Sequence, residues 1–491
     1  MSEPSGVVFP LDPASGRRST TATGRAVVAE ALRMVDPVGA ASAERETNWR
    51  QGYLPHFRRL VEAGLTSPDA ARSIATGGLE ALHGRMRWAA PDGEHPLSDV
   101  FADHHRIDDP AKDLASETVR GGGVPERRLS LPYAGERLSG DALRRRLDLW
   151  VEAGTIEPTC AEAVSLVVDN PDWLDLSDRT VVVLGAAAEM GPLRSLLRWG
   201  ADVAAIDLPR KELWERLIRD ARHLAGSVTL PVRPGDQPLA ARAGGDLVHD
   251  LAAVTRWVTA LDGPLVIGNY VYADGETNVR VSMAVDALTR RVVDVRGAAD
   301  VALAFLATPT DVFAVPGAAV ARSVDSYARR RTSKVLRVPL RTISGGRLLR
   351  RSYVPGQDPG INDSVVLQQG PNYLLAKRLQ RWRATAHRAD GGLVSLKVAP
   401  PTRTRSVVKN RALAAAYAGA HRFGIEVFEP GTANTLMAAL LVHDLRTGSP
   451  SQAEPWQDEA YAAAHGGLWT SAYDPRSALG LAALLGLAAA R

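Results

Sequence analysis

Short apolar runs alternate with amphipathic stretches in the middle of the chain. The first run, Arg179–Gly185, is rich in β-branched residues and ends at a glycine, which is typical of a buried parallel strand. A helical pattern follows over Pro192–Trp199, with proline in its first turn and a stop at Gly200. A second apolar run, Ala201–Asp207, completes a strand-helix-strand unit. This alternation predicts an α/β fold built on a doubly wound parallel sheet.

Later apolar runs predict the remaining strands of the same sheet. We place the third strand at Gly226–Val232, the fourth at Pro264–Ala273, the fifth at Val335–Ser344 and the sixth at Leu393–Ala399. A helix carrying Tyr373 and Lys377 precedes the sixth strand. The apolar segment Asp300–Pro316 predicts either an extra strand with a helix or, around Thr308–Asp311, a loop at the carboxyl edge of the sheet.

The composition divides the chain into four parts. Residues 1–25 are rich in Ser, Thr, Gly and Pro and predict a disordered arm. Residues 26–174 predict a mainly helical N-terminal domain, with apolar positions three and four residues apart. Residues 175–447 would hold the sheet, and 448–491 a linker and a C-terminal helix. Because that helix has few polar positions, it predicts either a homodimer contact or docking onto the N-terminal helices.

Charge and cysteine content narrow the class of protein. The net charge is +4 and is spread along the chain, and aromatic residues make up only 5%, so we expect no nucleic-acid partner. The single cysteine, Cys160, excludes an internal disulfide and a cysteine-based zinc cluster. No apolar run reaches membrane-spanning length, and the N-terminus lacks an apolar signal segment. We therefore expect a soluble, cytoplasmic protein without membrane insertion. The pair His104-His105 is more typical of solvated side chains than of a metal site, and no metal is predicted.

The turn after the first strand has the composition of a phosphate-binding loop. Gly185 and Gly191 occupy the first and last places of a Gly-x-x-Gly-x-x-Gly frame, and Ala188 occupies the middle place, followed by Glu189 and Met190. Small residues at these places let backbone amides approach a pyrophosphate. The turn therefore predicts a dinucleotide or a related adenosine cofactor.

An acid at the end of the second strand supports the same cofactor class. Asp207 follows the first glycine by about 20 residues, where a carboxylate binds the ribose hydroxyls. A carboxylate there favours NAD, because it would repel the 2′-phosphate of NADP. Arg210 and Lys211 lie just beyond and are able to accommodate that phosphate if the loop turns, so NADP stays open.

Tyr373 and Lys377 form the candidate catalytic pair. They are four residues apart on a predicted helix, so the phenol and the ammonium share one face. A fixed cation close to a phenol favours the phenolate and lowers its pKa. The pair predicts a group that gives or takes a proton during carbonyl chemistry.

Taken with the glycine turn, this pair makes the stretch from about Asp175 to about Thr447 resemble the short-chain dehydrogenase/reductase family, with long insertions. The resemblance implies a Rossmann-like domain and a nicotinamide-dependent oxidoreductase of ketoreductase type, which interconverts a carbonyl and an alcohol. Tyr373 would then act as general acid or base, and Lys377 would lower its pKa and hold the nicotinamide ribose.

The resemblance also implies further site residues. Ser344 would orient the substrate oxygen, and Asn269, at the end of the fourth strand, would help to relay protons. Asp246 falls in the acidic stretch near the adenine, and Thr404 falls in the turn after the sixth strand that contacts the nicotinamide end. The chain departs from the family pattern at Ala188, at Pro401 in place of a glycine, and in having no serine a dozen or so residues before the tyrosine.

Two other functions remain open from the sequence. A methyltransferase also uses a glycine turn and an acid at the end of the second strand, to bind S-adenosylmethionine, and would give Tyr373 and Lys377 no role. A non-catalytic dinucleotide-binding protein would account for the departures from the family pattern. The expected partner is a small-molecule substrate, bulky and apolar if the long insertions enclose its pocket.

Overall fold

The computed structural model describes residues 5–12, 15–102, 113–329, 338–448 and 452–489. The histidine pair His104-His105 and the first part of the predicted fifth strand, 335–337, lie outside these ranges.

The strands have the following bounds. They are β1 (Gly6–Val8), β2 (Arg87–Ala90), β3 (Gly93–Pro96), β4 (Ala115–Arg120), β5 (Ser130–Tyr133), β6 (Glu136–Ser139), β7 (Thr180–Leu184), β8 (Asp202–Ile206), β9 (Ser227–Val232), β10 (Leu265–Asn269), β11 (Val301–Ala307), β12 (Val312–Val315), β13 (Gly360–Asp363) and β14 (Val394–Val398).

The helices have the following bounds. They are α1 (Thr20–Arg33), α2 (Pro37–Arg45), α3 (Trp49–Gly64), α4 (Pro68–Arg85), α5 (Leu97–Ala102), α6 (Gly140–Ala153), α7 (Pro158–Asp169), α8 (Leu193–Trp199), α9 (Lys211–His223), α10 (Leu239–Arg242), α11 (Leu251–Thr259), α12 (Glu276–Arg296), α13 (Gly317–Arg329), α14 (338–343 within the described chain), α15 (Gly370–Ala389), α16 (Arg405–Lys409), α17 (Arg411–Gly419), α18 (Pro430–Thr447), α19 (Pro455–Ala460) and α20 (Pro475–Ala489).

The central sheet has seven strands in the order β14-β11-β10-β7-β8-β9-β4. All neighbouring pairs are parallel except β4 with β9. Counted along the chain, the parallel strands follow the order 6-5-4-1-2-3, which is the order of dinucleotide-binding doubly wound sheets. The fold is therefore α/β with a Rossmann-like central sheet. The strand order reverses between β7 and β10, where Leu184 lies opposite Asn269.

Five of the six predicted parallel strands are present, and the one placed fifth along the chain, at Val335–Ser344, is wrong. The first to fourth strands and the sixth are β7, β8, β9, β10 and β14, close to their predicted bounds. The fifth is β11, in the segment that was open between an extra strand and a loop, whereas residues 338–343 are helical. The physical reason is burial: Val301–Ala307 is an uninterrupted apolar run, while Val335–Thr342 carries arginines that a central parallel strand would bury.

The N-terminal region joins the sheet rather than packing apart from it. Val27, Leu32 and Phe57 belong to the same buried apolar cluster as Leu184 and Ile206 of the sheet. Strand β4 also extends the sheet at its β9 edge. The helical domain predicted over 26–174 is therefore not confirmed as a separate unit.

The predicted disordered arm is wrong for the part that the structure describes. Strand β1 pairs with β2, and the Val7 amide donates to the Val248 carbonyl at 3.0 Å. Val7 and Val8 are fully buried, because three consecutive apolar positions in Gly6–Phe9 outweigh the polar composition around them. Helix α1 begins at Thr20, with the Ser19 side chain accepting from the Ala22 amide.

The C-terminal helix packs against its own chain. Glycines on α17 and α20 let the two helices approach closely: a Cβ atom added at Gly419 would collide with the Ala482 carbonyl, and one at Gly486 with the Ala415 carbonyl. This contact occupies the small-residue face of α20. Its partner is α17 and not the N-terminal helices that the composition suggested.

Candidate functional site

The loops that follow the parallel strands meet at one edge of the sheet. We call it the carboxyl edge; it comprises residues 185–191, 207–210, 269–275, 308–311 and 399–405. Ligands of doubly wound sheets bind outside this edge, at the point where the strand order reverses. Here that point lies between the ends of β7 and β10.

The glycine turn folds tightly against the segment after β10. Gly185 has a φ of +85°, and a Cβ atom added to it would lie 2.9 Å from the Tyr270 carbonyl carbon. Only glycine satisfies both conditions. At the other end of the turn, a Cβ atom on Gly191 would lie 3.3 Å from the Ala188 carbonyl oxygen. The shape of the turn therefore requires glycine at 185, and a side chain at 191 would make a tight contact.

Several amides of the turn already have acceptors. The Gly185 and Ala186 amides donate to the Ile206 carbonyl at 2.9 and 3.1 Å, and the Ala188 amide donates to the Gly185 carbonyl at 3.0 Å. Within the described chain, no acceptor is found for the amides of Glu189 and Met190. A phosphate would meet these two amides first.

Asp207 sits between the turn and the end of β8. Its Oδ2 accepts from the Ala187 amide and its Oδ1 from the Leu208 amide, both at 2.8 Å. Burial raises the pKa of this carboxyl, and the two amide hydrogen bonds oppose the rise. The carboxylate thus holds the turn in place, and each of its oxygens retains a lone pair for a ribose hydroxyl.

Asp246 lies near Asp207, because the residue before it, Gly245, is hydrogen-bonded to the Asp207 backbone. The Gly245 amide donates to the Asp207 carbonyl at 3.0 Å. The Asp246 carboxylate itself accepts the Val248 amide at 2.9 Å, which gives it a local turn contact.

Glu189 connects the first and last loops of the carboxyl edge. Its Oε2 accepts from the Arg405 amide at 2.8 Å, and its Oε1 lies 3.1 Å from Arg405 Nε. Asn434 on α18 donates to the Glu189 carbonyl at 3.2 Å. These contacts bring Thr404, the residue before Arg405, to the turn after β7, as a cofactor-contacting residue requires.

Thr404 begins α16 and has local partners. Its hydroxyl lies 2.9 Å from Ser406 Oγ, and its amide donates to the Thr402 carbonyl at 2.8 Å. Pro401, which stands where the family has glycine, accepts from the Phe428 amide at 2.8 Å. The turn after β14 is therefore held by the 420–429 segment.

Tyr373 and Lys377 lie on the first two turns of α15, which follows β11 and precedes β14. The same helix packs on β11 and on α4 and α12, on one face of the sheet. The Lys377 Nζ donates to the Leu306 carbonyl at 3.3 Å and to Gln380 Oε1 at 3.2 Å. Both predicted residues therefore reach the end of β11.

The environment of Lys377 favours its neutral form more than water does. Burial lowers the pKa of the ammonium to about 8, and the nearby Asp311 carboxylate opposes the change. Asp311 is itself buried and is paired with Arg381 at 2.9 Å and Arg378 at 3.3 Å.

The pKa of the Tyr373 phenol shifts in the direction opposite to the predicted one. Burial raises its pKa to about 12, and a hydrogen bond with the Thr308 hydroxyl opposes the rise. The expected lowering by Lys377 is not found, because desolvation of the phenol dominates and the ammonium is directed at the Leu306 carbonyl. The ring of Tyr272, after β10, meets Tyr373 edge-on with centroids 6.3 Å apart.

Ser344 does not follow a strand. It comes after the helical residues 338–343, and its hydroxyl donates to the Arg341 carbonyl at 3.2 Å and accepts from the Leu348 amide at 3.1 Å. The hydroxyl at the end of the fifth strand belongs to Thr308 instead, which also lies 2.8 Å from Thr310 Oγ1. The sequence signal that identifies Thr308 was the apolar run ending at Ala307.

Asn269 is buried at the end of β10, with 4% of its surface exposed. Within the described chain its Oδ1 has no hydrogen-bond partner. Along β10 its side chain falls on the same face as Leu265 and Ile267, which belong to the cluster that includes Leu374 and Leu375 of α15. A buried acceptor without a partner on the face that carries α15 is a place for a ligand or a water.

Within the described ranges, no group of three or more His, Cys, Asp or Glu side chains is arranged to hold a metal ion. Across the same ranges, no helix is both long enough and apolar enough to cross a membrane. Neither a protein-family model nor a curated protein matches the chain.

Proposed function

We propose that this chain is a nicotinamide-dependent oxidoreductase of short-chain dehydrogenase/reductase type that interconverts a carbonyl and an alcohol. The observation that carries the proposal is the position of the Tyr373 and Lys377 turns of α15 at the end of β11, where the Lys377 Nζ donates to the Leu306 carbonyl at 3.3 Å and Thr308 follows the strand. It supports a phenol on the helix before the sixth strand and a hydroxyl at the end of the fifth, in a sheet with the strand order of dinucleotide-binding folds.

The side chains divide the proton chemistry among them. Tyr373 donates a proton to the substrate oxygen, and Thr308 hydrogen-bonds the same oxygen and orients it. With a pKa of about 12, the phenol is protonated at neutral pH, which suits the acid role and hence carbonyl reduction. A bound nicotinamide would supply the hydride.

Lys377 and Asn269 serve as positioning residues in this proposal. With a pKa of about 8, Lys377 is mostly protonated at neutral pH and is able to donate to a ribose hydroxyl. Asn269 offers its partnerless Oδ1 to a water or to the cofactor.

The carboxyl edge fits a dinucleotide. Gly185 allows the tight turn after β7, the amides of Glu189 and Met190 have no acceptor in the described chain, and Asp207 has lone pairs for ribose. NAD is favoured by Asp207, and NADP by Arg210 and Lys211.

Titration of NADH and NADPH into wild type, Asp207→Ala and Tyr373→Phe, followed by calorimetry, tests the proposal. We expect wild type to bind one nucleotide, Asp207→Ala to lose or switch that binding, and Tyr373→Phe to keep it. Asp202→Ala is the matched control, since this acid lies at the opposite end of β8. If wild type binds neither nucleotide, the proposal fails; binding of S-adenosylmethionine instead would favour a methyltransferase.

Binding without turnover is the remaining outcome. A screen of carbonyl compounds with the preferred reduced nucleotide separates a reductase from a non-catalytic dinucleotide-binding protein. We expect turnover in wild type that Tyr373→Phe abolishes. A Tyr373→Phe variant with undiminished turnover would remove the phenol from the mechanism.

A further inference from the structure

A cavity of about 440 Å³ lies beside the last loop of the carboxyl edge. Its walls include Tyr133, Tyr417, His421, Glu426, Phe428 and Glu429. Phe428 forms an isolated parallel bridge with Thr402, in the turn after β14. The volume is within the range of small-molecule sites.

The cavity borders the turn after β14 at the carboxyl edge. The Arg403 amide donates to the Phe428 carbonyl at 2.9 Å, and the Phe428 amide donates to the Pro401 carbonyl at 2.8 Å. A molecule in the cavity would therefore lie beside the loop that carries Thr404.

Glu426 presents a carboxylate that no cation neutralises. Its Oε1 accepts from Tyr133 Oη and from Trp150 Nε1, both at 3.0 Å, and both donors are neutral. Among the residues that the structure describes, no Lys, Arg or His nitrogen lies within 4.0 Å of this carboxylate. A partly buried carboxylate held only by neutral donors retains an attraction for a positive charge.

Aromatic rings surround this carboxylate. Tyr133 meets Trp150 edge-on at 5.3 Å, and Trp150 lies 5.0 Å from Phe428. Aromatic faces attract cations, and the guanidinium of Arg146 already lies 4.5 Å from the centroid of the Tyr133 ring.

The other charged groups around the cavity have contacts of their own. Glu429 adds a second carboxylate, which is exposed and lies 3.9 Å from Arg403. The remaining group, His421, directs Nδ1 to the Ala418 carbonyl at 2.9 Å. A carboxylate without a cation, framed by aromatic rings, is suited to an ammonium group.

We infer that this cavity binds a protonated amino group of the substrate, so that the substrate is an amino-carbonyl compound or the corresponding amino alcohol. The inference rests on the proposed function only in taking the bound amine to be the substrate of the site at the carboxyl edge. The ammonium would donate to Glu426 Oε2 while its methylene groups contact Phe428 and Tyr417.

Calorimetry with three probes of similar size tests the inference: 2-phenylethylamine, which is a cation at neutral pH, the neutral 2-phenylethanol and the anion 3-phenylpropanoate. For wild type we expect the amine to bind about ten-fold more tightly than the alcohol. Glu426→Gln keeps the oxygen that accepts from Tyr133 and Trp150 and removes the charge, so the preference should disappear. Glu136→Gln, an exposed change in the β5–β6 hairpin that carries Tyr133, should preserve the preference for the amine.

Equal or tighter binding of the alcohol or the propanoate by wild type overturns the inference, and so does an undiminished preference in Glu426→Gln. The wild-type comparison requires no variant, so it decides even if Glu426→Gln does not fold. Titration of NADH and NADPH into the same protein separates the two proposals. An amine preference without nucleotide binding rejects only the oxidoreductase, whereas nucleotide binding without the preference rejects only the amine site.

Discussion

At the scale of single residues, Thr308 and Ser344 differ in where they lie relative to Tyr373. Thr308 follows β11, and its hydroxyl opposes the rise in the pKa of the phenol, whereas Ser344 follows a helical segment and satisfies its hydroxyl locally. The two residues are alternatives for one role. The structure supports Thr308 for it, because the loop after the fifth strand is at the carboxyl edge.

Replacing Thr308 tests that role. Thr308→Val keeps the shape of the side chain and removes the hydroxyl, so we expect turnover to fall about 10²-fold while nucleotide affinity stays unchanged. Steady-state kinetics with calorimetry measures both. Thr308→Ser should retain most activity and Ser344→Ala nearly all of it; the reverse pattern would return the role to Ser344.

Lys377 makes a pH-dependent contribution to stability. Its pKa falls from 10.5, the ordinary value for a lysine, to about 8 in the folded chain. Between these values the unfolded chain binds more protons than the folded chain, so the free energy of unfolding rises with pH through this window. Relative to Lys377→Met, wild type should gain on the order of 1 to 3 kcal/mol from pH 8 to pH 10.5.

Urea unfolding of both proteins across this pH range measures the difference. The exposed Lys211 is the control, because Lys211→Met should give a difference that is independent of pH. If the difference in free energy of unfolding between wild type and Lys377→Met does not change with pH, the ammonium is well solvated. Turnover of Lys377→Met should be lost at every pH.

At the scale of elements, the turn after β7 depends on close packing against the segment after β10. Gly185 and Gly297 have similar φ values, +85° and +88°. An added Cβ atom at Gly185 meets the Tyr270 backbone at 2.9 Å, whereas at Gly297 nothing lies within 4 Å. Comparing alanine variants at these two glycines separates two contributions to the free energy of unfolding: the backbone conformation and the collision.

We expect Gly297→Ala to lower the free energy of unfolding by about 1 to 3 kcal/mol, from its positive-φ backbone conformation alone. Gly185→Ala should cost about 1 to 3 kcal/mol more and should also abolish nucleotide binding, because the turn must move. Urea unfolding and calorimetry give both quantities. Equal stability losses would show that the turn tolerates a side chain beside Tyr270.

Elements set by short-range pattern were predictable from the sequence. The strands β7 and β8 and the intervening helix α8 follow from β-branched runs, a proline in the first turn and the left-handed Gly200. The fifth strand was not predicted, because the apolar run Val301–Ala307 was also compatible with an extra strand, and local pattern did not show that the sheet buries it in place of Val335–Thr342.

At the scale of the whole molecule, the N-terminal helices and the sheet share one apolar core. Helix α4 packs on α15, and the buried Asp286 of α12 is joined to His83 of α4 at 2.7 Å and to Arg383 of α15 at 2.8 Å. Although burial opposes it, Arg383 lowers the pKa of Asp286. The predicted unit 175–447 would therefore lose the His83 partner of Asp286 and the apolar contact of α4 with α15.

A fragment of residues 175–447 should not fold cooperatively. Without the N-terminal helices it would expose the face of α15 and leave Asp286 without His83, at a cost on the order of several kcal/mol. Urea unfolding followed by circular dichroism compares it with the full chain, for which we expect one transition. A sharp transition in the fragment would show that the sheet is an independent domain.

The sequence by itself determined the α/β class, five of the six parallel strands, the glycine turn and Asp207, and the helix of Tyr373 and Lys377. These features depend on periodicity and on backbone geometry within a few residues. Only the tertiary structure decided the strand order, the addition of β4, the burial of β1, the placement of Thr308 and not Ser344 after the fifth strand, and the direction of the Tyr373 pKa shift. These depend on which distant segments remove each group from water, and neighbouring residues do not record that.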